Sequence, residues 1–190
     1  VYAAKKIRVP STCATTIGLP GTLSSRVQPN HPADDVEGIL ASAMEGLSFG
    51  MGDAVIGINP VDDGVDNTRR ILDAVWELMQ KWEIPTQNCV LAHITTQMRA
   101  VREGAAACVL FQSIAGTEQA NDAFGINAAM IREAYDLIME RGMAKGPNRM
   151  YFETGQGSEM SINTARGVDM MTLEARCYAF CKDFDPFMVN

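Results

Sequence analysis

The sequence predicts an α/β protein, a portion of a (β/α)8 (TIM) barrel with about six strands and five helices. Short apolar runs of strand length alternate with longer stretches of helical periodicity along the chain. Helices that connect buried strands imply parallel pairing. Neither GxGxxG nor GxxxxGK followed by Ser or Thr occurs after a predicted strand. This favours the barrel over an open doubly wound sheet, which stays the alternative.

Composition and charge argue against several classes of protein. Of the 190 residues, 47% are hydrophobic and 21% are charged, as in a globular domain with a sizeable core. The net charge is -7 without a basic stripe, which argues against a nucleic-acid partner. No apolar run is long enough to predict a membrane span. The five scattered cysteines indicate a reducing, cytoplasmic compartment, and no metal site is predicted because Cys177 and Cys181 have no nearby His.

The elements follow one another in a regular order. Residues 1–23, punctuated by prolines and glycines, are predicted to form an N-terminal arm, and 24–190 the partial barrel. Apolar runs predict strands at 24–28, 53–59, 89–93, 108–112, 150–153 and 187–189. Apolar residues at helical spacing predict helices at 34–48, 66–82, 95–103, 117–141 and 169–182.

Local signals support the ends of these helices. Asp34 and Asp35 are predicted to supply the N-cap and first-turn negative charge of the first helix. Gly50 and Gly52 are predicted to end that helix, and Gly125 to interrupt the long region at 117–141. Because the chain starts with Val and stops in an apolar strand, we expect a part of a longer polypeptide.

Polar residues end the predicted strands that precede helices: Gln28, Asn59, His93, Gln112 or Ser113, and Glu153. In a barrel these ends converge on one mouth, where such enzymes do their chemistry. Arg26 precedes Gln28 by two residues, so both side chains point to one side of a strand. A buried guanidinium needs an anionic or carbonyl partner, for which Glu153 is the candidate.

Glu153 stands where an apolar run meets Gly155 and Gly157, which let the backbone approach a ligand closely. A helix-capping or turn-forming role is the alternative for this carboxylate. His93 is a candidate general base, but a satisfied structural role is favoured. No Ser-His-Asp arrangement, oriented Cys-His pair or pair of metal-binding His is apparent. Amides and a carboxylate suit a small substrate with amino and hydroxyl groups, and we expect a cofactor to supply the difficult chemistry.

Seven segments resemble the large (heavy) subunit family of ethanolamine ammonia-lyase. They are KKIRV (5–9), IGLPG (17–21), RVQPNHP (26–32), GDAVIGINP (52–60), IPTQ (84–87), FQSIAGTE (111–118) and YFETGQGS (151–158). The segments occur in order across almost the whole chain. Members of that family are substantially longer, so the resemblance is to a partial chain.

The resemblance implies an adenosylcobalamin-dependent radical lyase with a (β/α)8 barrel, which deaminates ethanolamine to acetaldehyde and ammonia by a 1,2-amino shift. The residues that match its substrate-binding positions are Arg26, Gln28, Asn59 and Glu153, of which Glu153 has the catalytic role. The residues that match positions on the cobalamin side are Pro60, Gln112 and Ser161. The resemblance also implies a small-subunit partner, a homo-oligomer of large subunits, and ethanolamine catabolism in the cytoplasm or a bacterial microcompartment.

Two other functions stay open. One is an inactive barrel fragment that keeps only folding and subunit contacts. The other is a cofactor-free barrel lyase or aldolase, which the absence of a Lys at any strand end disfavours. We expect the 190-residue chain by itself to be inactive, because six strands cannot close an eight-stranded barrel.

Overall fold

The computed structural model describes residues 2, 4–6, 8–15, 17, 23–155 and 158–190. Gly157 of the predicted glycine-rich loop lies outside the described residues, as does 18–22 of the predicted arm. In the described part of the chain, strands and helices alternate and all strand pairs are parallel. The predicted α/β class is therefore confirmed.

The strands and helices have the following bounds. The strands are β1 Arg26–Val27, β2 Val55–Ile58, β3 Asn88–Val90, β4 Leu110–Ile114, β5 Met150–Thr154 and β6 Met188–Val189. The helices are α1 Val36–Ser48, α2 Val65–Lys81, α3 Ile94–Arg102, α4 Glu118–Ala123, α5 Ala128–Arg141, α6 Glu159–Thr164 and α7 Met170–Lys182. A short 3-10 helix covers Ala4–Lys6.

The predicted break of the region 117–141 is confirmed, since it divides into α4 and α5 at Gly125, whose φ of 71° is a left-handed value that favours glycine. The short α6 was not predicted from periodicity. It begins after Ser158, whose hydroxyl accepts a hydrogen bond from the backbone N–H of Ser161. The described chain thus has more helices than the five expected, because short helices give little periodic signal.

The strands form two three-stranded sheets, ordered β1-β2-β3 and β4-β5-β6. We refer to β1–β3 with α1–α3 as the first half, and to β4–β6 with α4–α7 as the second half. Within the residues that the structure describes, the two sheets do not close into a barrel. What the fold shows is parallel sheets covered by helices.

Among the described residues, β3 and β4 are not paired by a ladder of backbone hydrogen bonds. Side-chain amides join the two sheets there instead. The Gln97 amide donates to the carbonyls of Ala92 and Phe111, at 2.6 and 2.7 Å, and accepts from Phe111 N–H at 2.9 Å. The Asn88 side chain accepts from Cys108 N–H at 2.8 Å. These amides satisfy buried backbone groups that would otherwise be costly. We call this junction the seam.

The two halves have different cores. In the first half the core is mainly aliphatic, with fully buried Ile39, Ile56, Ile58, Ile71, Leu72 and Val75. In the second half Phe184 packs against the rings of Phe152, Phe180 and Tyr135, with centroids 5.9, 5.3 and 6.1 Å away. Tilted ring pairs of this kind add to the free energy of simple burial.

Residues 11–15 lie against the amino-terminal ends of the strands. Thr15 N–H donates to Gln87 Oε1 at 2.7 Å, just before β3, and the backbones of Thr12 and Asn148 are bonded at 3.0 Å, just before β5. A Cβ on Gly146 would lie 2.3 Å from the carbonyl oxygen of Thr12, so only glycine permits this approach. This segment therefore lies on the side of the sheets opposite the carboxyl-terminal rim.

Candidate functional site

Arg26 and Glu153 meet between the two sheets. Arg26 belongs to β1 and Glu153 to β5, and Arg26 Nη1 lies 2.6 Å from Glu153 Oε1. The side chains are only 16% and 25% exposed, so the ion pair is largely shielded from water. The predicted partnership of these two residues is confirmed. It places a side chain of the first sheet in contact with a side chain of the second.

Tyr151 completes this cluster. Its hydroxyl donates to Glu153 Oε1 and accepts from Arg26 Nη1. Tyr151 and Glu153 are two apart on β5, so the pleat directs both side chains to the same face. The Tyr151 ring is fully buried, with the ring of Phe111 edge-on at 5.2 Å. A Cβ on Gly57 would approach the Arg26 side chain at 3.3 Å, so glycine there gives the guanidinium room.

Two further predicted residues stand on the carboxyl-terminal rim. Gln28 and Asn59 directly follow β1 and β2, which pair in parallel, and both are exposed. The backbone N–H of Asn59 donates to Asn30 Oδ1 at 2.8 Å, which ties the two rim loops together. The structure thus places two amide side chains at the carboxyl-terminal edge of the first sheet.

Asp34 holds the loop that carries Asn59 and Pro60. Its buried carboxylate accepts from the backbone N–H groups of Val61 and Asp62, at 2.9 and 2.8 Å, and from Asn67 Nδ2 at 2.7 Å. Burial by itself raises the pKa of Asp34, but these hydrogen bonds outweigh it and hold the pKa below its usual value. Asp34 therefore fixes the path of the chain just after Asn59.

Asp34 is not the helix cap that its position suggested. Asp35 is the N-cap of α1, and its side chain accepts from Gly38 N–H at 2.8 Å. Asp34 has a backbone φ of 50°, an unusual value for a residue other than glycine. The sequence offers one sign of this role: Asp35 alone suffices as the N-cap of α1, and Asp34 is a second acidic residue beside it.

His93 has structural partners. Its Nδ1 accepts from Thr95 N–H at 3.3 Å as the N-cap of α3, and its Nε2 lies 3.0 Å from the carbonyl oxygen of Phe124. A neutral imidazole protonated at Nε2 satisfies both contacts. The favoured structural interpretation of His93 fits this geometry.

Gln112 and Ser161 are buried, and their polar atoms have partners within the chain. Gln112 lies inside β4, because this strand ends at Ile114, two residues later than predicted, and its Oε1 accepts a hydrogen bond from Ile94 N–H at 2.9 Å. Ser161 donates to the carbonyl of Gly155 at 2.6 Å. Pro60 is half-buried beside Asn59. The roles of these three residues toward a cofactor stay predictions.

The site has the chemistry of a hydrogen-bonding cage. Within the described ranges, no group of three or more His, Cys, Asp or Glu side chains is arranged to hold a metal ion. Burial raises the pKa of the Cys13 thiol to about 12, which disfavours the reactive thiolate. None of the described helices is long and apolar enough to cross a membrane. One carboxylate, one guanidinium, one phenol and exposed amides can bind and orient a small polar molecule.

Comparison with known proteins gives one consistent result. The family model described as ethanolamine ammonia lyase large subunit (EutB) matches residues 1–190. The chain is 50% identical over all 190 residues to the ethanolamine ammonia-lyase large subunits of Escherichia coli and Salmonella typhimurium. It spans 42% of the length of each of these relatives.

Proposed function

This chain belongs to the ethanolamine ammonia-lyase large-subunit family, and from that premise we propose that it is part of the catalytic subunit of a carbon–nitrogen lyase. The proposed reaction converts ethanolamine to acetaldehyde and ammonia through migration of the amino group to the hydroxyl-bearing carbon. The Arg26–Glu153 pair supports this most strongly, since it joins a side chain of one sheet to a side chain of the other. Folds built on parallel strands bind their ligands at the carboxyl-terminal edge.

The proposed substrate contacts use side chains at this edge. Glu153 accepts hydrogen bonds from the amino and hydroxyl groups of ethanolamine, and Arg26 holds that carboxylate in place. The exposed amides of Gln28 and Asn59 complete the cage. Fixed hydrogen bonds of this kind orient the migrating group and exclude water from it.

We propose adenosylcobalamin as the cofactor, because amides and a carboxylate do not by themselves cleave a C–N bond. When bound, it supplies the radical chemistry that removes hydrogen from the substrate carbon. The residues at the carboxyl-terminal rim fit adenosylcobalamin in part. Half-buried Pro60 stands on the rim, whereas Gln112 and Ser161 use their polar atoms internally. We therefore propose that Gln112 and Ser161 contribute to the cofactor side indirectly, by fixing the chain segments to which they are hydrogen-bonded.

The remaining proposals concern the whole protein. We propose that the full-length chain closes a (β/α)8 barrel, joins a small subunit that completes the cobalamin site, and forms a homo-oligomer of large subunits. Ethanolamine catabolism in the cytoplasm or in a bacterial microcompartment is the proposed setting. The 190-residue chain, mixed with small subunit, adenosylcobalamin and ethanolamine, should form no acetaldehyde. Clear cofactor-dependent acetaldehyde formation would contradict this expectation.

The substitution Glu153→Gln in the full-length enzyme tests the site. Loss of a charged hydrogen bond in a shielded site costs about 1.5–3 kcal/mol, or about a tenfold to hundredfold loss in turnover. Acetaldehyde release with small subunit and adenosylcobalamin present is the measurement. Glu140→Gln, on the exposed surface of α5, is the matched control and should leave turnover unchanged. Wild-type turnover in Glu153→Gln would remove Glu153 from the site.

A further inference from the structure

The hydroxyl of Tyr151 stands between the two charged residues of the site. Its ring is fully buried, and the Arg26 guanidinium lies over the ring, 5.4 Å from its centroid. A buried phenol needs hydrogen-bond partners, and here both partners are residues of the proposed substrate cage. Packing alone does not require a hydroxyl at this position, because phenylalanine has the same ring.

The hydrogen bonds around Glu153 are unevenly shared between its two oxygens. Oε1 receives Arg26 Nη1 at 2.6 Å and the Tyr151 hydroxyl. Two donors use both lone pairs of that oxygen. Among the described residues, no donor to Oε2 is found. Within the part of the chain that the structure describes, the carboxylate is thus held by one oxygen, which leaves the other for a ligand.

We propose that Tyr151 is a positioning residue, whose hydroxyl fixes Glu153 so that Oε2 accepts the hydrogen bonds of a small amino alcohol. This inference rests on the proposed function. With Arg26 alone on Oε1, the carboxylate rotates about its terminal torsion, which has a broad energy profile. The second donor removes that freedom before the ligand binds. Preorganisation of this kind lowers the free-energy cost of binding.

The substitution Tyr151→Phe isolates the hydroxyl, since the phenyl ring keeps the edge contact with Phe111. The protein to use is the full-length large subunit with its small subunit. Ethanolamine binding is measured by calorimetry without adenosylcobalamin, and KM and kcat are measured with it. We expect Kd and KM to rise together by about tenfold, with a smaller change in kcat and a nearly unchanged Tm. Unchanged Kd and KM would overturn the proposal.

Tyr178→Phe is the matched control. Its hydroxyl donates to Glu174 Oε1 at 2.6 Å on the exposed surface of α7, which is the same pair of groups away from the site. This variant should bind ethanolamine as wild type does. In a Glu153→Gln background, Tyr151→Phe should weaken binding no further, because it acts through Glu153. An equal loss in both backgrounds would overturn the positioning role.

A second measurement does not depend on whether Tyr151→Phe folds. In a crystal structure of the wild-type enzyme with ethanolamine, the ligand should bond to Oε2 while Tyr151 and Arg26 stay on Oε1. Ethanolamine bonded to Oε1 in place of Tyr151 would refute the proposal. Wild-type protein that neither binds ethanolamine nor forms acetaldehyde overturns the proposed function and this inference together. Normal wild-type activity with an unaffected Tyr151→Phe overturns this inference alone.

Discussion

The two halves of the molecule each contain a three-stranded parallel sheet with helices but are stabilised in different ways. The first half buries aliphatic side chains, and its rim loop is held by a buried carboxylate, Asp34. The second half is centred on the aromatic residue Phe184, and its rim loop is held by hydroxyls, with Ser161 bonded to Gly155. The site takes Arg26 from the first half and Glu153 from the second.

The stability of each half thus depends on its own core and rim loop, whereas the site depends on one residue from each half. Apolar packing is insensitive to pH, whereas the Asp34 carboxylate contributes only when it is ionised. The seam and the Arg26–Glu153 pair are where the halves depend on each other. Substitutions in either core should therefore affect stability, and those between the halves should also affect the site.

The largest expected effect comes from the aromatic cluster of the second half. Phe184→Ala removes the ring that contacts three other rings and should lower the free energy of unfolding of the full-length protein by about 3–5 kcal/mol. In the first half, Ile71→Val should cost only about 1 kcal/mol. Urea unfolding measures both. Phe49→Ala, 77% exposed, is the control, and a loss from Phe184→Ala no larger than its own would contradict the role of the cluster.

The seam ranks next. Gln97→Leu leaves the Phe111 N–H and the carbonyls of Phe111 and Ala92 without the side-chain amide. Each unsatisfied buried group costs about 1–3 kcal/mol, so a total of about 3 kcal/mol is expected. Gln80→Leu, exposed on α2, serves as the control in the same unfolding experiment. Equal stability of the two variants would show that the halves do not need the amide.

Asp34 should make the stability of the first half depend on pH. Its pKa is lower in the folded protein than in the unfolded chain, so its contribution is complete above about pH 4 and is lost as pH falls through the folded pKa. Asp34→Asn should cost about 1.5–3 kcal/mol at neutral pH. The difference from wild type should shrink in acid.

Unfolding curves at neutral and acidic pH test this pH dependence. Asp136→Asn in the second half is the control, because Asp136 lies on the exposed surface of α5. A loss from Asp34→Asn that is the same at all pH values would refute the role of the carboxylate.

The smallest effect concerns the outer contact between the halves. Arg102 of α3 and Glu133 of α5 form an ion pair whose side chains are 45% and 59% exposed. Glu133→Gln should cost less than about 1 kcal/mol, and high salt should abolish the difference. Unfolding at low and high NaCl is the measurement, with exposed Glu77→Gln as the control. A large, salt-independent loss would mean that this pair, and not only the buried one, joins the halves.

Much of the architecture could be predicted from local sequence patterns. The order of the elements and the break at Gly125 follow from periodicity and turn chemistry. The Arg26–Glu153 pair was also predicted, because a buried guanidinium needs an anion and Glu153 was the available one. These predictions need only rules about neighbouring residues, or one requirement of charge pairing.

The ends of β4 could not be predicted in this way. The strand begins and ends two residues later than its apolar pattern suggested, so Gln112 lies inside the strand and not at its end. The alternation of apolar residues indicates which side chains share a face of a strand, but not where the strand begins or ends. Gln112 consequently bonds to Ile94 at the start of α3.

The sequence by itself determined the α/β class, the polar residues Gln28 and Asn59 that follow β1 and β2, and the identity of the charged pair. Only the tertiary structure decided that Tyr151 joins this pair, that Asp34 holds the Asn59 loop, and that Gln97 replaces a backbone ladder. The reason is that amphipathic patterns arise within one helix or strand. Hydrogen bonds between distant segments depend instead on how the sheets curve and which carbonyls and N–H groups they leave unpaired.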